Sequence, residues 1–368
     1  MRVVLAGGGT AGHISPALAL ADALRRADPS AVLTFLGTER GLETRLVPQR
    51  GYELAVIPPV PLPRSLTPRL LTVPGRLAAA IGAAVRVLEE TGADALVGFG
   101  GYVSTPGYLA ARRRRVPIVV HEANPRPGLA NRIGARLTRH VFTGNPDASL
   151  PHARYIGIPL RREITELDRR ELAGKARAHF GLRPDLPVLL VTGGSQGARS
   201  LNQAAAAAAG SILAAGVQLL HVTGPRAEGM PAPEAGERPP TGTGPAHLVV
   251  PYIDRMDLAY AAADLVLCRA GAMTCAEVAA VGLPAAFVPL PHGNGEQRLN
   301  AEPIVRAGGG LVVEDSRLTP EWIRGALLPV LLDSGALAAM AGAAAAFGVR
   351  DADTRLAAEV ISVAGGGR

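Results

Sequence analysis

The chain has 368 residues, too many for one ordinary core, since single cores stop growing at about 250 residues, so two domains are expected. Hydrophobic residues make up 48% and charged ones 19%, a globular balance, and 44 glycines, above the usual share of about 7%, imply many turns and close backbone approaches. The net charge of +7, with Lys175 the only lysine, favours phosphate-rich or anionic-membrane partners or reflects a plain bias toward Arg, while 4% aromatic residues with no basic stretch among them weigh against nucleic acid.

In chain order, Val3-Val4-Leu5-Ala6 reads as a buried strand. The glycine loop Gly7-Gly8-Gly9-Thr10-Ala11-Gly12-His13 follows, then an Ala/Leu helix from about Pro16 to Arg26. No signal-peptide apolar region precedes the glycines, so a cytoplasmic chain is expected. The order recurs at mid-chain, with strand Val188 to Val191, loop Gly193-Gly194-Ser195-Gln196-Gly197 and a helix from Ser200 to Leu213. The uncharged stretch Ser200 to Pro225 is rich in alanine and holds Asn202, Gln203, Gln218 and His221, which reads as a buried helix and strand rather than a membrane span. Further apolar strands are predicted at Val32–Leu36, Ala95–Gly98, Ile118–His121, His140–Thr143, Gln218–Thr223, Leu265–Cys268 and Ala285–Pro289. Helical segments separate most of them, which predicts α/β architecture with parallel sheets. A domain boundary is expected near Gly157 to Arg162, and a Pro- and Gly-rich loop over Arg226 to Pro245. Cys268 and Cys275, without His or Cys companions, match no common zinc spacing.

The loop GGGTAGH lacks the GxGxxG spacing of dinucleotide enzymes, which disfavours NAD. Glycines before a helix let backbone N–H groups approach an anion that the helix dipole also favours, so both glycine loops can meet anionic substrates. Asp351-Ala352-Asp353 is the only D-x-D arrangement; a helix cap is its simpler reading, a metal site the alternative. His13 stands at the mouth of the first loop, where the positive helix end favours a neutral ring suited to a base; a structural histidine is the bland alternative.

Five segments in order and spacing resemble the MurG family, whose members add N-acetylglucosamine to lipid I to make lipid II. They are GGGTAGH, Gly100-Gly101-Tyr102-Val103-Ser104, His121-Glu122-Ala123-Asn124, Gly193 to Arg199, and Pro251 to Pro289. The resemblance implies a GT-B fold, two Rossmann-like domains facing across a cleft. Residues 1–160 would form an acceptor and membrane-side domain, with a C-terminal helix about 346–368 packing back on it, and 161–345 the UDP-sugar domain. It implies an inverting transfer from UDP-N-acetylglucosamine (UDP-GlcNAc) to the C4 hydroxyl of the muramyl sugar of lipid I, with no cofactor and no metal.

By the same resemblance Ser195, Gln196 and the backbone at Ala272, Met273 and Thr274 meet the donor diphosphate, and Cys275 and Ala276 extend that run. Glu277 would hold the uridine ribose and Ile253 would bond uracil through its backbone; an ordinary N-terminal helix glutamate is the other reading of Glu277. Thr10, Ala11 and Gly12 are implied as donor contacts, and Asn124 and Gln297 as partners of the transferred sugar. Arg161 matches an arginine that follows Asn-Pro, although Ile158 stands here for Asn, and Glu296 stands where many relatives have Gln. His13 would be the general base, Glu122 an alternative base or an orienter of the acceptor, and Tyr102 an acceptor-side residue. His121 and His292, each just after a predicted strand, stay outside this set.

Arg64 to Arg86 carries Leu66, Leu70, Leu71, Val73, Leu77, Ile81 and Val85 among Arg64, Arg69, Arg76 and Arg86, and Arg112 to Arg115 is a second basic cluster. Both suit an anionic membrane surface at the cytoplasmic face, or, for Leu77, Ile81 and Val85, a helix packed on the sheet. The competing functions are another GT-B enzyme or UDP-sugar epimerase, and a non-catalytic nucleotide-sensing or nucleic-acid-binding protein.

Overall fold

The computed structural model describes residues 1–60, 73–225 and 244–366. Arg64, Leu66, Arg69, Leu70 and Leu71, and most of the loop predicted from Arg226, lie outside the described residues. The chain forms two compact units, Met1–Arg161 with Asp351–Arg368, and Arg162–Arg350.

The first unit is built on a seven-stranded sheet of β1 (Arg2–Gly7), β2 (Val32–Gly37), β3 (Glu53–Val56), β4 (Ala95–Gly100), β5 (Ile118–Glu122), β6 (His140–Thr143) and β7 (Ala153–Tyr155). Its order is β3-β2-β1-β4-β5-β6-β7 and every neighbouring pair is parallel. A parallel sheet is covered on both faces, and β1 shows why its sequence is an unbroken apolar run. Val3 and Leu5 pack with helices Ala11–Ala27 and Ala352–Gly365, while Val4 and Ala6 point the other way, toward helices Val73–Thr91 and Ser104–Arg114. Leu77, Ile81 and Val85 pack on that second core, so the helix Val73–Thr91 turns its apolar side inward and leaves Arg76 and Arg86 exposed.

The helix after β1 starts at Ala11 rather than near Pro16, so Pro16 lies inside it. Pro16 has no N–H to give the carbonyl of Gly12, four residues back, and the helix accommodates that one missing bond. The C-terminal helix Ala352–Gly365 belongs to the first unit. Leu356, Ala357 and Val360 enter its core, Arg26 pairs with Asp353 at 2.6 Å, and Arg154 with Glu359 at 2.8 Å. Asp351 occupies the N-cap position of this helix without a side-chain capping bond, and the buried Asp353 carboxylate is engaged by Arg26; the capping role expected of this pair is therefore not made by its side chains.

The second unit holds β8 (Val188–Thr192), β9 (Gln218–Val222), β10 (His247–Val250), β11 (Leu265–Arg269), β12 (Ala285–Val288) and β13 (Gly310–Val312), in the parallel order β10-β9-β8-β11-β12-β13. Leu189, Val191, Leu219, Leu265, Leu267 and Val288 meet the helix Arg199–Ala214 and the turns around Ile323 to Leu331. In each sheet the strand order reverses once, at β1/β4 and at β8/β11. At such a point the chain leaves the two central strands in opposite directions, and the loops beyond their carboxyl ends stand uncovered.

Replacing the fully buried Leu356 by Ala should destabilise the first unit by about 2–5 kcal/mol. In urea denaturation followed by probes placed in each unit, the first unit's transition moves to lower urea and that of the second unit stays in place.

Candidate active site

In the first unit the site grows from the loops after β1, β4 and β5. His13 is the third residue of the helix Ala11–Ala27, whose N-cap is Thr10. Its Nδ1 lies 3.3 Å from Gly8 O and 3.1 Å from Thr10 Oγ1. A carbonyl oxygen can only accept, so Nδ1 carries the proton, shared with the threonine hydroxyl, and the ring's lone pair sits on Nε2. A Cβ on Gly100 would come within 3.2 Å of Nε2, and one on Gly101 within 3.3 Å of Nδ1, so the glycines that end and follow β4 are what let the ring lie there. Tyr102 follows them and is 53% exposed. Gly12 is exposed beside Thr10. The Gly9 N–H is given to the Glu43 carboxylate, so at that position the first loop meets an internal anion rather than a substrate one.

Glu122 ends β5, and both its oxygens are engaged. Oε1 accepts from the backbone and side-chain amides of Asn124 at 2.9 and 3.4 Å, and Oε2 from Gly128 N–H and Asn131 Nδ2, each at 3.0 Å. This carboxylate folds the segment 122–131 around itself. Asn131 also bonds His121 O, and its own oxygen accepts the hydroxyl of the fully buried Tyr108. His121 lies on β5 rather than after it, wholly buried, with Nε2 bonded to Gly157 O at 2.9 Å, and burial pushes its pKa down to about 4. It is a neutral core residue. Ile158 is buried against Gly144, so this position is used for packing. Arg161, half-buried, ends this unit.

In the second unit the corresponding loops follow β8 and β11. Ser195 and Gln196 are exposed between Gly194 (φ +81°) and Gly197 (φ +75°), four and three residues ahead of the helix Arg199–Ala214. A side chain on Gly197 would strike Thr223 O at 2.1 Å, which fixes the loop against the end of β9. After β11 the helix Ala272–Ala280 begins at N-cap Gly271, so the amides of Ala272, Met273 and Thr274 belong to its first turn and have no acceptor within the helix. Such a terminus suits a phosphate. Glu277 lies within this helix, in its second turn rather than at its N-terminal end, and is buried, with Oε2 accepting the Tyr260 hydroxyl at 2.8 Å. Ile253 is buried in the segment before the helix Met256–Ala262. Gln297 is the second residue of the helix Glu296–Arg306 and accepts Leu290 N–H at 3.0 Å, while Glu296 bonds Asn294 and His292 lies in the exposed turn before them. Burial raises the Cys268 thiol to about 12 and pushes Cys275 well above its ordinary value, so both are neutral; Ala276 is half-buried beside Cys275.

Beneath these loops lie residues that the sequence does not flag. Arg269 at the end of β11 reaches Asp315 and, at 2.9 Å, Ser200 Oγ; Ser200 in turn bonds Asp315 at 2.6 Å, tying the start of one loop helix to the strand before the other. Asn202 donates to Thr223 O and therefore offers its oxygen to His221 Nε2–H. Nothing in the sequence around Arg269 and Ser200 pairs them with Asp315, 46 residues beyond Arg269. Among the described residues no three His, Cys, Asp or Glu side chains cluster as metal ligands.

Two Rossmann-like units, each with a glycine loop and helix start at its switch point, define a protein of the GT-B fold class. The glycosyltransferase family 28 N-terminal domain matches residues 3–143 and the C-terminal domain of the same family residues 188–356. The chain is 64% identical over 369 residues to a Thermobifida fusca protein named UDP-N-acetylglucosamine--N-acetylmuramyl-(pentapeptide) pyrophosphoryl-undecaprenol N-acetylglucosamine transferase, covering 100% of this chain and 96% of that one. A Streptomyces avermitilis protein of the same name is 64% identical over 356 residues, 97% of this chain and 96% of its own. The crystal structure of Acinetobacter baumannii MurG superposes with a TM-score of 0.76 at 28% identity, covering 98% of this chain and 99% of that one. The chain belongs to glycosyltransferase family 28 and, within it, to the MurG family.

His121 and His221 both have pKa values pushed down to about 4 by burial, from 6.5, and His247 adds to the lowering at His221. The unfolded chain then binds more protons between those values, so stability is full above pH ~6.5 and falls toward pH ~4. Each histidine should contribute up to about 3 kcal/mol to that loss. Urea midpoints measured from pH 7.5 to 4.5 should decline, and His221→Gln should flatten the decline in the second unit.

Proposed function

We infer that this chain is an inverting glycosyltransferase that moves N-acetylglucosamine from UDP-GlcNAc to the C4 hydroxyl of the muramyl sugar of lipid I, forming lipid II for peptidoglycan synthesis. The observation that carries this reading is the 64% identity over the whole chain to a relative named for that reaction. The geometry of each unit supports the assignment of roles.

In the second unit the diphosphate binds the first-turn amides of Ala272, Met273 and Thr274, with Ser195 and Gln196 on the facing loop of the same unit. These fixed dipoles stabilise the charge that grows on the leaving UDP. Glu277, oriented by Tyr260, accepts the ribose hydroxyls; Ile253 offers its backbone to uracil; Cys275 and Ala276 continue the helix wall. Gln297 and, in the first unit, Asn124 bond the transferred sugar, and Arg161, Thr10, Ala11 and Gly12 complete the donor contacts. His13 takes the proton of the acceptor hydroxyl on Nε2 as that oxygen attacks the anomeric carbon, and one displacement inverts the centre. Glu122, saturated by four N–H groups, shapes the acceptor loop rather than removing a proton, and Tyr102 lies on the acceptor side.

The acceptor is carried by a lipid, which supports a peripheral position on the cytoplasmic face of the membrane. Among the described residues no single helix is long and apolar enough to cross a bilayer. Arg112 to Arg115, exposed at the end of the helix Ser104–Arg114, and Arg76 and Arg86 on the helix packed beside it suit anionic headgroups. In flotation with anionic liposomes at moderate salt, changing Arg112 to Arg115 to Ser should reduce the bound fraction; equal binding removes the membrane assignment.

Incubation of the protein with labelled UDP-GlcNAc and lipid I should place the label in lipid, whereas epimerised free sugar would mean a different reaction. In that assay His13→Ala should lower kcat by about 10²- to 10⁴-fold with little change in donor affinity. Glu277→Ala should weaken UDP binding by about 10- to 100-fold, the loss of hydrogen bonds to a charged group. A His13→Ala enzyme with intact turnover removes the base assignment.

A further inference from the structure

Glu43 begins the helix Glu43–Gln49 and is 1% exposed, a buried carboxylate to which the transfer chemistry gives no task. Its Oε2 accepts Gly9 N–H at 3.0 Å, and its Oε1 accepts both the N–H and the hydroxyl of Thr38 at 3.0 Å. Glycines surround it: a Cβ on Gly8, Gly37 or Gly41 would lie 2.9, 2.7 or 1.8 Å from its atoms. Burial alone would raise the carboxyl, but the bonds from Gly9 and Thr38 outweigh it and hold the group below its ordinary range, so it is ionised at neutral pH.

The link to the base is covalent in its middle. Gly9 N and Gly8 O belong to one planar, resonance-coupled peptide group. Its N–H goes to Glu43 and its carbonyl accepts Nδ1–H of His13. Gly9 holds φ +90°, a conformation that side chains strain to adopt, and a Cβ on Gly101 would lie 2.4 Å from the same carbonyl. We propose that Glu43 is a positioning residue for His13, acting through the Gly8–Gly9 peptide: carboxylate, peptide group and imidazole stand in series, fixing the proton on Nδ1 and making Nε2 more basic. Hydrogen bonds in a chain polarise one another, and a negative charge on the N–H side of a peptide strengthens its carbonyl as an acceptor. The arrangement does for this histidine what a directly bonded carboxylate does in a nucleophile–base–orienter triad, with a peptide bond interposed. It rests on the reading of His13 as the base.

The test uses the full chain labelled with ¹⁵N-histidine and ¹⁵N-glycine, as wild type and Glu43→Gln, with lipid I turnover measured in parallel. Gln keeps the size of the side chain and removes its charge. The His13 titration midpoint should fall by about 0.5 pH unit or more, and the acid limb of kcat/KM should move with it. kcat at pH 7 should drop about tenfold with donor KM within about twofold. An unchanged midpoint in a folded Glu43→Gln protein overturns the proposal. A midpoint that falls while the acid limb stays in place overturns His13 as the base, and with it the catalytic task of Glu43, but leaves the coupling through the peptide standing. Should Glu43→Gln not fold, the Gly9 amide resonance of the wild type decides: a shift in step with the His13 titration supports the relay, and a flat response overturns it.

Discussion

Backbone N–H groups at the start of a helix have no acceptor within it, and much of this molecule is arranged around where those groups point. In both sheets the strand order reverses once, and the helices that leave the two central strands there begin side by side beyond the strands' carboxyl ends. The chain meets the resulting cluster of donors in two ways. At Ala272 the first-turn amides have no acceptor within the helix. In the loop just ahead of the helix that starts at Ala11, the Gly9 amide is met from within, by a buried carboxylate. A strand, a glycine loop and a helix start thus recur in both units, and in the first of them the loop is held by a side chain of its own unit.

Internal anions recur wherever a loop must keep one shape. Glu43, Glu122 and Asp315 are each placed under a loop and each is satisfied by amides, hydroxyls or a guanidinium from that loop's surroundings. A buried charge left without such partners would cost several kcal/mol, so each carboxylate fixes the loop that pairs it. Glu122 illustrates the consequence. Four N–H groups on its two oxygens define the turn that carries Asn124, and they occupy the lone pairs that proton abstraction would need.

The central strands were legible because they are buried on both faces and so read as unbroken apolar runs: Val3 to Ala6, Val188 to Val191 and Leu265 to Cys268 all fall within observed strands. The strands that the sequence did not single out, β3, β7, β10 and β13, are the four edges of the two sheets. An edge strand is paired on one side and half exposed, so its residues, such as Ala153-Arg154-Tyr155, carry no strong pattern. The helix after β1 was placed too late because Pro16 reads as a start signal, whereas one missing bond inside a helix of 17 residues is a tolerable loss.

The glycine loops, the apolar runs and the small residues around them were determined by the sequence itself, because close approach and burial each demand particular residue types. That was enough for two nucleotide-type domains and for placing His13 at the mouth of the first glycine loop, while Ser195 and Glu277 were singled out by the family resemblance. What the tertiary structure alone decided is which polar groups meet: Glu43 with Gly9, 34 residues apart, Tyr260 with Glu277, Arg269 with Asp315, and Arg26 with Asp353 across 327 residues. An apolar side chain needs only to be buried, and its periodicity says on which face. A hydrogen bond needs one particular partner at about 3 Å, and no local pattern names a partner that the fold brings from elsewhere in the chain.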